Sequence, residues 1–147
     1  MGISIIIPNY SDYKNLIKCV SKINNQDFNK EKLEVIIAEG DKNFKKIKKK
    51  FKFKIKQRYF GFPQNQEARK YCAIKICKFK ILCFLDTDNF LDNNDFLKIH
   101  YKAMGEKYVS FSYCKYYSYL NAKGWINKYY SVIGGNDPIS YFFNKND

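Results

Sequence analysis

Residues 81–89 read Ile81-Leu82-Cys83-Phe84-Leu85-Asp86-Thr87-Asp88-Asn89. Five apolar residues without polar alternation mark a strand covered on both faces, as in a parallel sheet. The strand runs straight into two carboxylates at i and i+2, groups that are costly to bury without a partner. It therefore delivers Asp86 and Asp88 to the open mouth of the sheet. Magnesium or manganese suits such hard oxygen donors, and either could bridge to a diphosphate. The competing reading is that Asp86 or Asp88 caps a turn.

Upstream, the helical spacing of Ala68, Cys72, Ala73, Ile76 and Cys77 predicts a helix over residues 65–78, after a loop at Gly61-Phe62-Pro63. At the other end of the chain, residues 3–7 are an apolar, β-branched run interrupted only by Ser4 and ended by Pro8, and so a second buried strand. Asn9-Tyr10-Ser11-Asp12 is a turn with a helix cap, and Leu16, Ile17, Val20 and Ile23 predict a helix over residues 13–24. Residues 33–38 form another buried strand running into Glu39-Gly40-Asp41. Phe44, Ile47 and Phe51 suggest a short amphipathic helix, and residues 53–56 alternate like an edge strand whose lysines discourage pairing with another chain. Downstream, Asn94 or Asp95 caps a helix through Phe96, Leu97, Ile99, Tyr101 and Met104, and residues 108–113 resemble a further strand.

The expected order is β-α-β-α-β-α-β-α-β. That alternation implies an α/β fold, a mostly parallel sheet with helices on both faces. In such sheets ligands bind beyond the carboxyl ends of the strands. Pro8-Asn9-Tyr10, Glu39-Gly40-Asp41 and Asp86-Thr87-Asp88 all fall at such ends and should share one rim.

The chain has 147 residues, enough for one domain with a real core, and its 46% apolar content argues against disorder. No stretch approaches the ~18–20 apolar residues of a membrane span. The N-terminus reads as a strand, not a signal peptide. Five cysteines scattered through apolar segments, with no CxxC pair, fit buried thiols in a reducing, cytoplasmic setting. The single histidine, His100, leaves little for a zinc site and reads as a helix-surface or partly buried residue.

The net charge is +13, and nine lysines lie from Lys42 to Lys56. They are either a solvated face or a basic surface for an anionic membrane. Nucleic acid is disfavoured as a partner, because charge and aromatics alone support it and no RRM, helix-turn-helix or zinc-finger pattern is present.

Four segments carry a family resemblance. Ser4-Ile5-Ile6-Ile7-Pro8-Asn9-Tyr10 resembles the opening strand and turn of family 2 inverting glycosyltransferases of the GT-A fold. Glu39-Gly40-Asp41 stands where that family has an Asp-Asp-Gly-Ser type of turn. The run from Gly61 through Ala68-Arg69-Lys70 is similar to its glycine-to-Ala-Arg-Asn segment, and Phe84-Leu85-Asp86-Thr87-Asp88-Asn89 to its Asp-x-Asp strand end. The segments occur in the family's order.

The resemblance implies a GT-A-like, Rossmann-like domain that binds a UDP- or GDP-sugar and passes the sugar, with inversion, to a saccharide or lipid-linked acceptor. By that resemblance Pro8, Asn9 and Tyr10 line the nucleobase, Glu39 reads base or ribose, and Arg69 orients the nucleotide. Asp86 serves the ribose or metal side, and Asp88 ligates Mg2+ or Mn2+. Glu39, Gly40 and Lys70 depart from the family's usual aspartates and asparagine. Arg69 has an alternative as a surface ion-pair residue.

The whole chain, residues 1–147, is expected to be one nucleotide-sugar-binding domain, cut short at its carboxyl end against the family's usual length. In Ile133-Gly134-Gly135-Asn136-Asp137-Pro138, Asp137 is the nominee for the catalytic base, with a turn residue before Pro138 as the alternative. The aromatic stripe from Tyr113 to Tyr130 serves sugar stacking, core packing or partner contact. The alternative function is a catalytically incomplete nucleotide- or membrane-binding module of the same fold, peripheral at the cytoplasmic membrane face.

Overall fold

Ile3–Asn9 forms β1, which lies inside the sheet and is buried along its whole length. In the computed structural model, which describes residues 1–112 and residue 125, it is followed by α1 (Tyr13–Asn24), a 3-10 turn (Lys30–Lys32), β2 (Leu33–Glu39), β3 (Lys54–Tyr59), α2 (Gln66–Ile74), β4 (Ile81–Phe84) and α3 (Phe96–Ala103). All strand pairs are parallel, in the order β3-β2-β1-β4. The chain thus steps from β1 outward to β3, then returns to the other side of β1 for β4. The reversal puts a topological switch point between β1 and β4, where crevices open in doubly wound sheets.

Strand periodicity sorts the core into two layers. Ile3, Ile5 and Ile7 of β1, with Leu33, Val35 and Ile37 of β2, meet Leu16, Cys19, Val20 and Ile23 of α1 and Leu97 of α3. On the opposite face Ile6, Ile36 and Ala38 meet Ala73 of α2, with Phe60, Ile76 and Cys77 packed alongside. Each fully buried aliphatic side chain contributes about 1.5–3 kcal/mol. Asp12 starts α1 by accepting a hydrogen bond from the Asn15 N–H at 3.2 Å. Asn65 does the same for α2 through the Ala68 N–H at 2.9 Å.

The second layer is short on apolar cover beyond α2, and a polar cluster fills the gap. Glu34 is buried, accepts a hydrogen bond from Ser4 Oγ at 2.7 Å and meets the Lys56 ammonium at 2.9 Å. Burial alone would raise the Glu34 carboxyl. The Lys78 backbone N–H, Lys56 and Ser4 together hold it below the usual glutamate range.

Several sequence expectations change. β1 continues through Pro8 to Asn9. Alternate residues of an inner parallel strand bond to alternate neighbours. Leu85 N–H donates to Ile6 O at 3.1 Å and Gly40 N–H to Asn9 O at 2.9 Å, so position 8 faces the β4 side. β4 has ended at Phe84, and the missing proline N–H is not needed there.

The lysine run is not helical. Like charges at i, i+3 and i+4 oppose a helix that is too short to persist alone. Ile47 and Phe51 still pack on the core as expected of the apolar positions. Side chains satisfy the backbone instead: Ile47 N–H donates to Gln57 Oε1 at 2.9 Å and Lys52 N–H to Asn24 Oδ1 at 3.1 Å. β3 is an edge strand that starts one residue and ends three residues later than its alternation suggested.

The helix expected over 65–78 stops at Ile74. The expected strand at 108–113 is not formed over its described part, where Tyr108 has φ +75°, a left-handed backbone that breaks an extended run. Tyr113 lies outside the described residues. The chain divides into two compact units, Met1–Val109 and Ser110–Asp147. The elements above all belong to the first. Asp137, Gly134-Gly135 and the stripe from Tyr113 to Tyr130, apart from Trp125, also lie outside the described residues.

Candidate nucleotide-sugar site

Parallel strands put the ends of β1, β2 and β4 on one side, and the three polar clusters line that rim. Asn9 Nδ2 donates to Glu39 Oε2 at 2.8 Å, and Gln57 Nε2 donates to Glu39 Oε1 at 2.6 Å. Glu39 is 0% exposed, and burial pushes its carboxyl above the usual range despite those two hydrogen bonds. Both oxygens are engaged. In this arrangement Glu39 fastens the ends of β1, β2 and β3 to one another.

The neighbouring carboxylate is the more exposed one. Asp41 is half-buried, accepts from Ser11 Oγ at 2.9 Å and from the Asn43 N–H at 2.8 Å, and so closes the β1 turn onto the β2 turn. Pro8 and Asn9 are buried in the wall, while Tyr10 is 47% exposed at its lip.

Arg69 is not a surface ion-pair residue. It is 4% exposed, and its Nη1 donates to the carbonyls of Phe62 and Pro63. Those contacts clamp a loop in which Gly61 has φ +77° and Phe62 φ +52°. A non-glycine residue holds such a backbone only when its surroundings impose it. Burial lowers the Arg69 guanidinium's affinity for its proton, and nearby Glu39 counters that effect. Gly40 explains itself here, because a Cβ at that position would lie 2.8 Å from Arg69 Nη1 and 3.1 Å from Pro63 Cα. The departure from a second carboxylate at position 40 makes room for the arginine.

Beyond Phe84 the chain turns away from the sheet. Asn89 N–H donates to Asp86 O at 3.1 Å, closing a turn. The buried Cys19 thiol of α1 reaches the carbonyls of Asp86 at 3.9 Å and Asn89 at 3.6 Å. Burial, then Cys83 and the two aspartates, push the Cys19 thiol up to about 12. It is a packed, protonated anchor. Farther along, Gln26 bridges Asn93 O at 2.7 Å and the Leu97 N–H at 3.1 Å, tying the segment before α3 to the end of α1.

Asp88 is exposed and Asp86 half-exposed. Asp86 Oδ1 is buried and accepts no hydrogen bond of good geometry; the Lys70 ammonium of α2 stands 3.3 Å away and also meets Glu67 at 2.9 Å. A buried acceptor without a donor is one that a cation would satisfy. Among the described residues no three His, Cys, Asp or Glu side chains converge. A cation here would hold the two aspartates at most and take its other oxygens from a diphosphate and water, which suits magnesium. The residues fit such an ion.

Sequence reading singled out Asn9, Glu39, Arg69, Asp86 and Asp88, and the fold sets their segments along one rim. It missed Gln57, Ser11 and Cys19, whose contributions depend on contacts between distant segments. Lys70 was noted only as a departure from the family pattern.

Glycosyl transferase family 2 matches residues 4–146, and the chain belongs to that family. The fold is similar to S. aureus TarS 1-349, with TM-score 0.59 and 21% identity over 71% of this chain and 32% of that one. It is similar to the same protein in complex with UDP, with TM-score 0.63, 21% identity and the same coverage. For the complex with UDP-GlcNAc the TM-score is 0.57 at 21% identity, covering 71% of this chain and 31% of that one. The chain thus spans about a third of the length of those structures. No curated protein matches the sequence.

Proposed function

We propose that this chain forms the donor-binding part of a glycosyltransferase that moves a sugar from a nucleotide-diphospho sugar to an acceptor hydroxyl with inversion, aided by Mg2+ or Mn2+. The observation that carries the reading is the pair Asp86 and Asp88 at the β1–β4 switch point, beside the wall of Pro8, Asn9 and Tyr10. Family membership supports the donor class. UDP is the first nucleotide to test, because TarS structures similar in fold contain UDP and UDP-GlcNAc; GDP is the second.

In this reading Tyr10 offers its exposed ring to the base, and Asp41 presents a carboxylate to the ribose. Glu39 keeps the wall in register, and Arg69 holds the loop that borders the nucleotide. Asp86 and Asp88 would hold a divalent ion, whose charge would offset that of the leaving nucleoside diphosphate. The acceptor oxygen attacks the anomeric carbon as the bond to the phosphate oxygen breaks. The hydroxyl proton passes to a carboxylate base, for which Asp137 is the nominee.

A second reading, a binding module of the same fold on an anionic membrane face, draws on a specific feature. Eight of the nine lysines from Lys42 to Lys56 are exposed, and those eight form no ion pair among the described residues. The two readings are compatible if the acceptor is lipid-linked. Thermal unfolding with UDP and with GDP, each with and without Mn2+, tests donor binding. Ligand at a hundred times Kd adds about 2.7 kcal/mol and raises Tm by several degrees. No shift with either nucleotide in the presence of metal removes the donor-binding reading.

A further inference from the structure

Lys70 sits one residue beyond the buried Arg69 clamp on α2, with its side chain 14% exposed and its ammonium 3.3 Å from Asp86 Oδ1. The resemblance leads one to expect a neutral asparagine at this position. A cation so placed answers the buried Asp86 oxygen electrostatically and would compete with a metal ion for that carboxylate. Glu67, 72% exposed, competes for the same ammonium at 2.9 Å. Lys70 therefore has two carboxylate partners, one solvated at the helix surface and one in the site. A four-carbon stem lets it move between them.

We propose that Lys70 is a tethered cation that occupies Asp86 until the donor arrives, so that the divalent ion is retained together with the diphosphate and not before it. The proposal rests on the nucleotide-sugar reading for its second half only. In the free protein the Lys70–Asp86 contact suppresses metal binding. When a diphosphate enters, its oxygens offer the ammonium a replacement partner, and Asp86 is released to the incoming ion. Lys70 is thus a positioning residue that makes binding of metal and nucleotide mutually dependent, whereas an asparagine would leave the carboxylates free to hold metal alone.

The test titrates Mn2+ alone, followed by the electron paramagnetic resonance signal of the free ion, into the wild-type chain and into Lys70→Asn, Lys70→Arg and Glu67→Gln. Lys70→Asn should bind Mn2+ about fivefold more tightly than wild type, the size of one part-exposed ion pair. Lys70→Arg should keep the wild-type affinity, and Glu67→Gln should weaken it by giving Lys70 to Asp86 alone. Circular dichroism verifies the fold of each variant. Equal Mn2+ affinity in wild type and Lys70→Asn, including no binding by either, overturns the proposal.

A second arm measures UDP affinity with and without Mn2+. Coupling between the two ligands should be smaller in Lys70→Asn than in wild type. If UDP with Mn2+ fails to bind wild type while Lys70→Asn gains Mn2+ affinity, the donor reading falls and the Lys70–Asp86 assignment stands. If wild type binds UDP while the Mn2+ affinities are equal, the assignment falls and the donor reading stands.

Discussion

Glu39 and Asn9 make a buried pair in which one atom is left over: Asn9 Oδ1 has no partner. That surplus makes Glu39→Gln a clean probe. The new amide can still accept from Gln57, and a turned-over Asn9 amide can offer its oxygen to the new NH2. Because burial raises the Glu39 carboxyl, its stabilising contribution is fully present below the ordinary glutamate range and is lost as pH rises through its raised value. Glu39→Gln should therefore melt higher than wild type at neutral pH, and the gap should close as the pH falls toward 4, measured by Tm against pH. A constant gap at all pH values contradicts the assignment. Gly40 gives a steric counterpart. Gly40→Ala must displace the Arg69 guanidinium, so it should lower stability by about 1–3 kcal/mol, read from urea unfolding, and weaken UDP binding as the 61–63 loop loosens.

Helices and strands show where sequence pattern is informative. The largely apolar runs of β1 and β2 were legible because a strand buried on both faces admits little else. β4, expected to be covered in the same way, instead lies at the edge of the described sheet with Phe84 50% exposed. The seam Leu16, Val20, Ile23 marked α1 within its true bounds. Leu16→Ala, at a fully buried position, should cost about 2–5 kcal/mol in denaturant unfolding. The lysine segment was misread because apolar spacing at 44, 47 and 51 fits a helix, while mutual repulsion and side-chain capping by Gln57 and Asn24 decide otherwise. Lys56 alone of that run is drawn inward, to Glu34. Lys56→Ala would leave a buried carboxylate without its cation and should cost about 3–5 kcal/mol at neutral pH. The Glu34 carboxyl is held low in the folded chain. Its contribution is thus present above the ordinary glutamate range and lost as pH falls through its depressed value, and the Lys56→Ala penalty should shrink on acidification.

Taken as a molecule, the chain places a charged belt and a ligand rim on one α/β scaffold. The rim's membership was legible because parallel topology forces strand ends together, so Asn9, Glu39 and Asp86 could be grouped before any contact was known. Their individual roles were not legible. Burial of Glu39, the loop clamp of Arg69 and the Lys70–Asp86 contact depend on how α2 and β3 dock, and local pattern does not encode that docking. The belt carries its own prediction. Replacing Lys45, Lys46, Lys48, Lys49 and Lys50 with glutamine should abolish sedimentation with anionic vesicles, each lysine near the surface being worth about 1 kcal/mol. Tm should stay near wild type, since all five side chains are exposed. Unchanged vesicle binding would remove the membrane role.

The paired aspartates at the β1–β4 crevice are best interrogated by calorimetric titration of UDP into wild type and Asp88→Ala, each with Mn2+ and with a chelator. Mn2+ should tighten UDP binding to wild type by about tenfold or more, a coupling of ~1.4 kcal/mol, and should have no effect on Asp88→Ala. UDP affinity that ignores Mn2+ in wild type, or that keeps its full metal dependence without Asp88, would contradict a cation held there against a diphosphate.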